Sequence, residues 1–199
     1  NLMVIRLLLD NPYIKRIVGF ANQAFDLFAP RLYAYYAKTM DDLCNWNPKL
    51  ERHYPRSVFA CCAWNLAKSV WTFIHTDHLN LAFGWCAVTA LGKFDPRKGG
   101  HLIIWDLKLV IEFPPGSTIF LCSAILRHSN IPVRPGESRF SFTQWTAGGL
   151  FRWTDFGFRS AGSFEKEVGK QAAEEANTAR WREGVSLLPR LSDLCCWAI

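Results

Sequence analysis

Between residues 57 and 145 the chain is built of short apolar runs: "SVFACCAW", "VWTFIH", "FGWCAVTALG", "GHLIIWD", "LVIEF", "STIFLCS" and "SRFSFTQW". Each is rich in β-branched and aromatic residues, each is too short for a packed helix, and each is cut off by Gly, Pro or a polar cluster. "FDPRKGG" and "FPPGS" carry turn chemistry. The stretch "SAILRHSNIPVRPGESRFSFTQW" reads as two strands around Pro135-Gly136, which brings the count to seven or eight. Strands at this spacing predict a sandwich or jelly roll.

The flanks have a different period. Pro12 suits a first helical turn, and Ile14, Ile17, Val18, Ala21, Phe25 and Phe28 recur at three- and four-residue steps. A helix is expected over 11–44, broken or restarted at Pro30, with "NWNPKLERHYPRS" as loop. From Ser163, a plausible N-cap, "SFEKEVGKQAAEEANTARWREGVSLL" reads as a C-terminal helix with a solvated charged face. The fold class is therefore α+β. We expect one domain over 1–199, with a helical part at 1–56, a β core at 57–147 and a helical part at 148–199. Since the chain begins at Asn1, it is read as a segment of a longer protein.

Composition narrows the class. Half the residues are apolar and 15% aromatic, enough for a sizeable core. No apolar stretch approaches the ~20 residues of a spanning helix, so no membrane partner is expected. The seven cysteines include the adjacent pairs Cys61-Cys62 and Cys195-Cys196, and no C-x-x-C spacing points to zinc. They read as buried thiols in a reducing, intracellular compartment. The terminal "CWAI" only loosely imitates a prenylation box and is set aside. The formal charge of +6 is compatible with an anionic partner, nucleic acid or a carboxylate cosubstrate.

The chemistry begins at "HTDHLN", residues 75–80, set between two apolar runs. If "VWTFIH" continues as a strand, His75 and Asp77 lie two apart and share a face. A third ligand is available at His128. With "RPGE" as a hairpin loop, Val133 pairs with Ser138, Pro132 with Arg139, Asn130 with Ser141 and His128 with Thr143. His128, Asn130, Arg139, Ser141 and Thr143 should then face one way, with His128 and Arg139 offset by ~13 Å along the strand.

Two imidazoles and a carboxylate are the ligand set of non-haem Fe(II) oxygenases, which leaves positions open for a 2-oxo acid and O₂. The far carboxylate of such a cosubstrate needs a cation, and a forked Arg fits it best. Arg139 and Ser141 are placed for that role.

The constellation "HTD", "GGHLIIWD" and "RHSNIPVRPGESRFS", over about residues 70–146, resembles the Fe(II)/2-oxoglutarate-dependent dioxygenases. That resemblance implies a double-stranded β-helix (jelly-roll, cupin-like) core, iron on His75, Asp77 and His128, and 2-oxoglutarate on Arg139 and Ser141. "H-x-D-x-x-N" at His75, Asp77 and Asn80 is similar to the ten-eleven-translocation/J-binding-protein branch, whose members oxidise 5-methylpyrimidines in DNA. "FGWCAVTALGKFDPRKGGHLIIWDL" and "TAGGLFRWTDFGFR" resemble sequences of fungal relatives. The branch implies DNA as the substrate partner, a nuclear location, Asn80 near the target base and His101 near the cosubstrate. The Cys-rich zinc region of the animal enzymes is missing from this sequence.

Other readings remain open here. His75 and Asp77 can be a polar strand end. Arg139 can pair with Glu137, and Arg134 is a rival cosubstrate arginine. His101 can simply terminate a hairpin, and Asn80 can be a turn residue. Phe151, Trp145 and Trp153 can stack on a base or pack in a core. The substrate can instead be a protein side chain or small molecule, or the domain can lack turnover.

Overall fold

The computed structural model describes residues 2–195. Contacts divide them into two compact units: a helical one formed by residues up to Ala60 together with those from Gly148 onward, and a β unit, Cys61–Ala147.

In the helical unit, α1 (Leu2–Asp10) is followed by α2 (Pro12–Phe28) and α3 (Pro30–Trp46). Asn11 caps α2 by accepting from the backbone N–H groups of Tyr13 and Ile14, and Pro12 opens it. The chain breaks between Phe28 and Pro30, where the proline ring excludes a helical residue before it. Val18, Ala21 and Phe25 form the buried face, whereas Phe28 lies off it. Phe151 is fully buried against Tyr35 and Tyr36 and is a core residue, whereas the half-buried Trp153 packs edge-on to Trp46.

The C-terminal portion differs from the single helix expected. An additional helix, α4, spans Gly148–Asp155. The cap is Ser160, which accepts from the Ser163 N–H, and α5 (Ala161–Val168) is separated from α6 (Lys170–Ser186) at Gly169. Gly169 has φ +89°, a left-handed geometry that ends a helix. A short α7 follows at Leu191–Cys195. Cys196 and the "CWAI" tail lie outside the described residues.

The β unit contains eight strands: β1 (Cys61–Asn65), β2 (Thr72–His75), β3 (Cys86–Lys93), β4 (Leu102–Ile104), β5 (Leu109–Ile111), β6 (Thr118–Leu121), β7 (His128–Asn130) and β8 (Ser138–Trp145). All seven apolar runs yield a strand. Two antiparallel four-stranded sheets result, ordered β1-β8-β3-β6 and β2-β7-β4-β5. Apart from the β4–β5 hairpin, each strand is followed by one in the other sheet. Each chain reversal therefore also changes sheet.

This alternation overturns the expected β7–β8 hairpin. His128 is opposite His75 and Ile104, while Thr143 is opposite Ala63 and Val88 in the other sheet. The connection 131–137 contains Pro132 and Pro135, which have no N–H to continue a ladder. His128 and Arg139 thus belong to different sheets, and the ~13 Å offset along one hairpin does not apply.

The core cluster draws on both sheets: Cys86 and Ala90 from β3, Leu102 and Ile104 from β4, and Leu121 from β6. Burying each large member contributes about 1.5–3 kcal/mol. Gly92 is required where β3 meets β8. It has φ +115°, and a Cβ there would lie 2.3 Å from the Ser138 carbonyl oxygen.

Candidate functional site

The β unit holds a cavity of about 580 Å³ lined from both sheets. The β2-β7-β4-β5 sheet contributes Thr72, His75, His128 and Asn130, and the opposite sheet contributes Asn65, Arg139, Ser141 and Thr143. The five residues expected on one face do line one cavity, but from two facing sheets.

At one end, the ligand-capable atoms of His75, Asp77 and His128 all lie within 4.8 Å of one another. His75 Nε2 is 3.7 Å from Asp77 Oδ1, and His128 Nε2 is 4.0 Å from Asp77 Oδ2. The imidazole rings stand 4.3 Å apart between centroids. Each Nδ1 is 2.8 Å from a carbonyl oxygen two residues earlier, Phe73 for His75 and Leu126 for His128. A carbonyl cannot donate, so Nδ1 of each ring carries a proton, and Nε2 is the atom directed at Asp77. Burial pushes the His128 imidazole below its ordinary range, which favours the neutral, ligating form. Fixed tautomers and a convergent carboxylate suit a divalent metal.

The local backbone explains the convergence. Thr72 is opposite Asn130 and His75 opposite His128, so β2 holds one residue more than β7 over this interval. Such a bulge shifts the alternation by one. Thr72 and His75 therefore both line the cavity, while Phe73 between them is 79% exposed. Asp77 lies beyond the end of β2, in contrast to the continuous strand expected. Its N–H donates to the Ser123 carbonyl at 2.8 Å, and Asn80 Nδ2 donates to Ser123 Oγ at 3.1 Å. Ser123 thereby clamps both ends of the turn that carries Asp77.

The other end holds Arg139 and Ser141. Arg139 is only 2% exposed. Its Nη1 donates to the Val70 carbonyl at 2.9 Å, its Nε has no hydrogen-bond partner, and no carboxylate among the described residues pairs with it. Glu137 is engaged instead by Arg134, at 3.2 Å. Burial pulls the Arg139 pKa below its ordinary value. A guanidinium in this position lacks the counter-ion that burial normally demands. Asn130 Nδ2 also donates to the Val70 carbonyl, and Thr72 Oγ1 donates to Asn130 Oδ1. Ser141 Oγ accepts from Asn65 Nδ2 at 2.9 Å.

Asn80 lines the cavity and is also a turn residue, its N–H bonded to the Asp77 carbonyl. His101 is not among the lining residues. It immediately precedes β4, whose first residue, Leu102, does line the cavity. His101 Nδ1 is buried without a partner. Trp145 lines the cavity wall. Asn65, Ser123 and Val70 were missed by sequence reasoning. Their roles depend on pairing across strands, and no local motif signals them.

No family model and no curated protein matches the chain. Among solved structures, the chain shares its fold with NgTET1 in complex with 5mC DNA. The TM-score is 0.55 at 15% identity, covering 70% of this chain and 50% of that one. The chain thus spans half the length of the NgTET1 chain. A partial overlap is also found with the viral collagen prolyl hydroxylase vCPH from Paramecium bursaria Chlorella virus-1, solved as a 2OG complex. There the TM-score is 0.30 at 15% identity, over 55% of this chain and 68% of that one. No helix among the described residues is long and apolar enough to cross a membrane.

Proposed function

We propose that the chain is an Fe(II)- and 2-oxoglutarate-dependent oxygenase whose β unit is a double-stranded β-helix. The observation that carries this reading is the pairing, in one cavity, of a two-imidazole, one-carboxylate cluster with a buried arginine that lacks a counter-ion. His75, Asp77 and His128 are the iron ligands, and Arg139 with Ser141 receives the distal carboxylate of the cosubstrate. Iron with 2-oxoglutarate and O₂ supplies oxidative decarboxylation to succinate and CO₂, coupled to hydroxylation of a substrate C–H bond.

The chain's own part is placement. The carbonyls of Phe73 and Leu126 hold the imidazoles with Nε2 bare, and Ser123 fixes the turn that carries Asp77. Val70 and Asn130 hold the guanidinium at the far end. The apolar walls, among them Val88, Leu102 and Leu121, limit water around the reacting centre.

The first substrate reading is the methyl group of a modified pyrimidine in DNA. It is supported by Asn80 in the cavity, the net basic charge and a shared fold with a protein solved on 5mC DNA. A second reading, hydroxylation of a protein side chain or small molecule, is favoured by a different observation. Arg139 is the only Lys or Arg among the lining residues, and Trp71 and Leu79 are exposed among them.

Anaerobic Fe(II) loading followed by an O₂-initiated succinate assay tests the oxygenase reading. One iron per chain and succinate release are expected; no iron uptake with no 2-oxoglutarate turnover would mean a domain without this activity. Duplex DNA affinity that falls with salt supports the nucleic-acid substrate, whereas salt-independent or undetectable binding removes it.

A further inference from the structure

We infer that Asn65 is a positioning residue that turns the Ser141 hydroxyl proton toward the bound anion. This rests on the reading above, in which Arg139 and Ser141 receive the cosubstrate's distal carboxylate.

The argument is one of proton accounting. Asn65 ends β1 directly opposite Ser141 on β8, and both side chains line the cavity. Cross-strand partners on one face are held at contact distance by the ladder itself. Asn65 Nδ2 donates to Ser141 Oγ at 2.9 Å. A serine hydroxyl has one proton and two acceptor sites. With one acceptor site filled by Asn65, the proton must be sent elsewhere, and no protein acceptor for it is found among the described residues. The buried Arg139 Nε, also without a partner, lies one alternation away along β8. Two unspent donors therefore border one slot: the Arg139 Nε–H, which cannot accept, and the Ser141 hydroxyl proton. Such a slot favours a deprotonated carboxylate, which accepts from both donors, over an amide, whose N–H groups would find only the second Ser141 lone pair. Without Asn65, the Ser141 hydroxyl is free to turn, and part of that discrimination is lost.

The test is a double-mutant cycle on the full chain, loaded anaerobically with Fe(II) so that binding is read without turnover. Calorimetric Kd values for 2-oxoglutarate are compared in wild type, Asn65→Ala, Ser141→Ala and the double variant. Asn65→Ala is expected to weaken binding about fivefold and Ser141→Ala about tenfold. The double variant should be no weaker than Ser141→Ala alone, because Asn65 acts only through that hydroxyl. Fe(II) affinity should be the same in all four. Asn65→Asp, of equal size but acting as an acceptor, should weaken binding more than Asn65→Ala. Wild-type affinity in either Asn65 variant overturns the inference, as does a double variant whose loss is the product of the two single losses. If the wild-type chain holds iron but does not bind 2-oxoglutarate, the parent reading fails and this one falls with it.

Discussion

Replacing Arg139 by Met should stabilise the ligand-free protein while removing its response to 2-oxoglutarate. Arg139 is 2% exposed, keeps one hydrogen bond to Val70, touches the Phe113 ring at 6.0 Å and has no acidic partner. Burying an unpaired guanidinium costs roughly 3–5 kcal/mol after relaxation. The charged hydrogen bond returns about 1.5–3 kcal/mol, and the ring contact, at the edge of its range, about 0.5 kcal/mol. The residue is left about 1 kcal/mol in deficit. Met fills much of the same space without a charge. The Val70 carbonyl keeps its bond from Asn130 Nδ2 at 3.2 Å, so no acceptor is stranded. For a chain of this size the variant should melt about 2–4 °C higher per kcal/mol gained. Wild type, by contrast, should gain about 2.7 kcal/mol from 2-oxoglutarate at a hundredfold excess over Kd, and the variant nothing. Thermal denaturation with and without 2-oxoglutarate, both with Fe(II) under nitrogen, measures the two effects. The reasoning is refuted if Arg139→Met loses more than about 2 kcal/mol, which would mean the charge is already compensated, or if its melting still rises with the ligand.

Asp77→Ala should abolish iron retention and 2-oxoglutarate decarboxylation, because two imidazoles hold Fe(II) poorly; metal analysis after gel filtration and succinate release report it, and full activity would remove Asp77 from the ligand set. Ser123→Ala leaves the Asn80 amide unpaired and loosens the turn carrying Asp77. It should cost about 1 kcal/mol of stability and weaken Fe(II) binding about tenfold, measured by denaturant titration and competition with a chelator. Gly92→Ala forces a Cβ against the Ser138 carbonyl in a left-handed backbone. A loss of about 3 kcal/mol or more is expected, read as a lower urea midpoint, with weaker 2-oxoglutarate binding because Arg139 is the next residue along β8. Burial pushes the Cys86 thiol up to about 12, so it should resist alkylation at pH 8 in the folded chain and react once urea unfolds it, as peptide mass mapping would show.

The sequence by itself determined which stretches form strands, that helices flank them, and which ligand-type side chains are candidates for a site. Strand formation depends on local side-chain shape and turn residues, and "VWTFIH" or "SRFSFTQW" contain both. Two imidazoles, an acid and an arginine in one strand-rich stretch are likewise visible without coordinates, because their chemistry belongs to the residue types. Tertiary structure decided how they meet. The sheet that receives β7 and the sheet that receives β8 cannot be read locally, since both strands offer the same alternation and only the long-range ladders with β2 and β3 choose between them. The extra residue in β2 is equally silent, because a bulge exists only relative to a partner strand. Asn65 opposite Ser141, Ser123 beneath Asp77 and Val70 beside Arg139 are separated by dozens of residues in the chain. Hydrogen bonds at such separations leave no periodicity for a sequence to display.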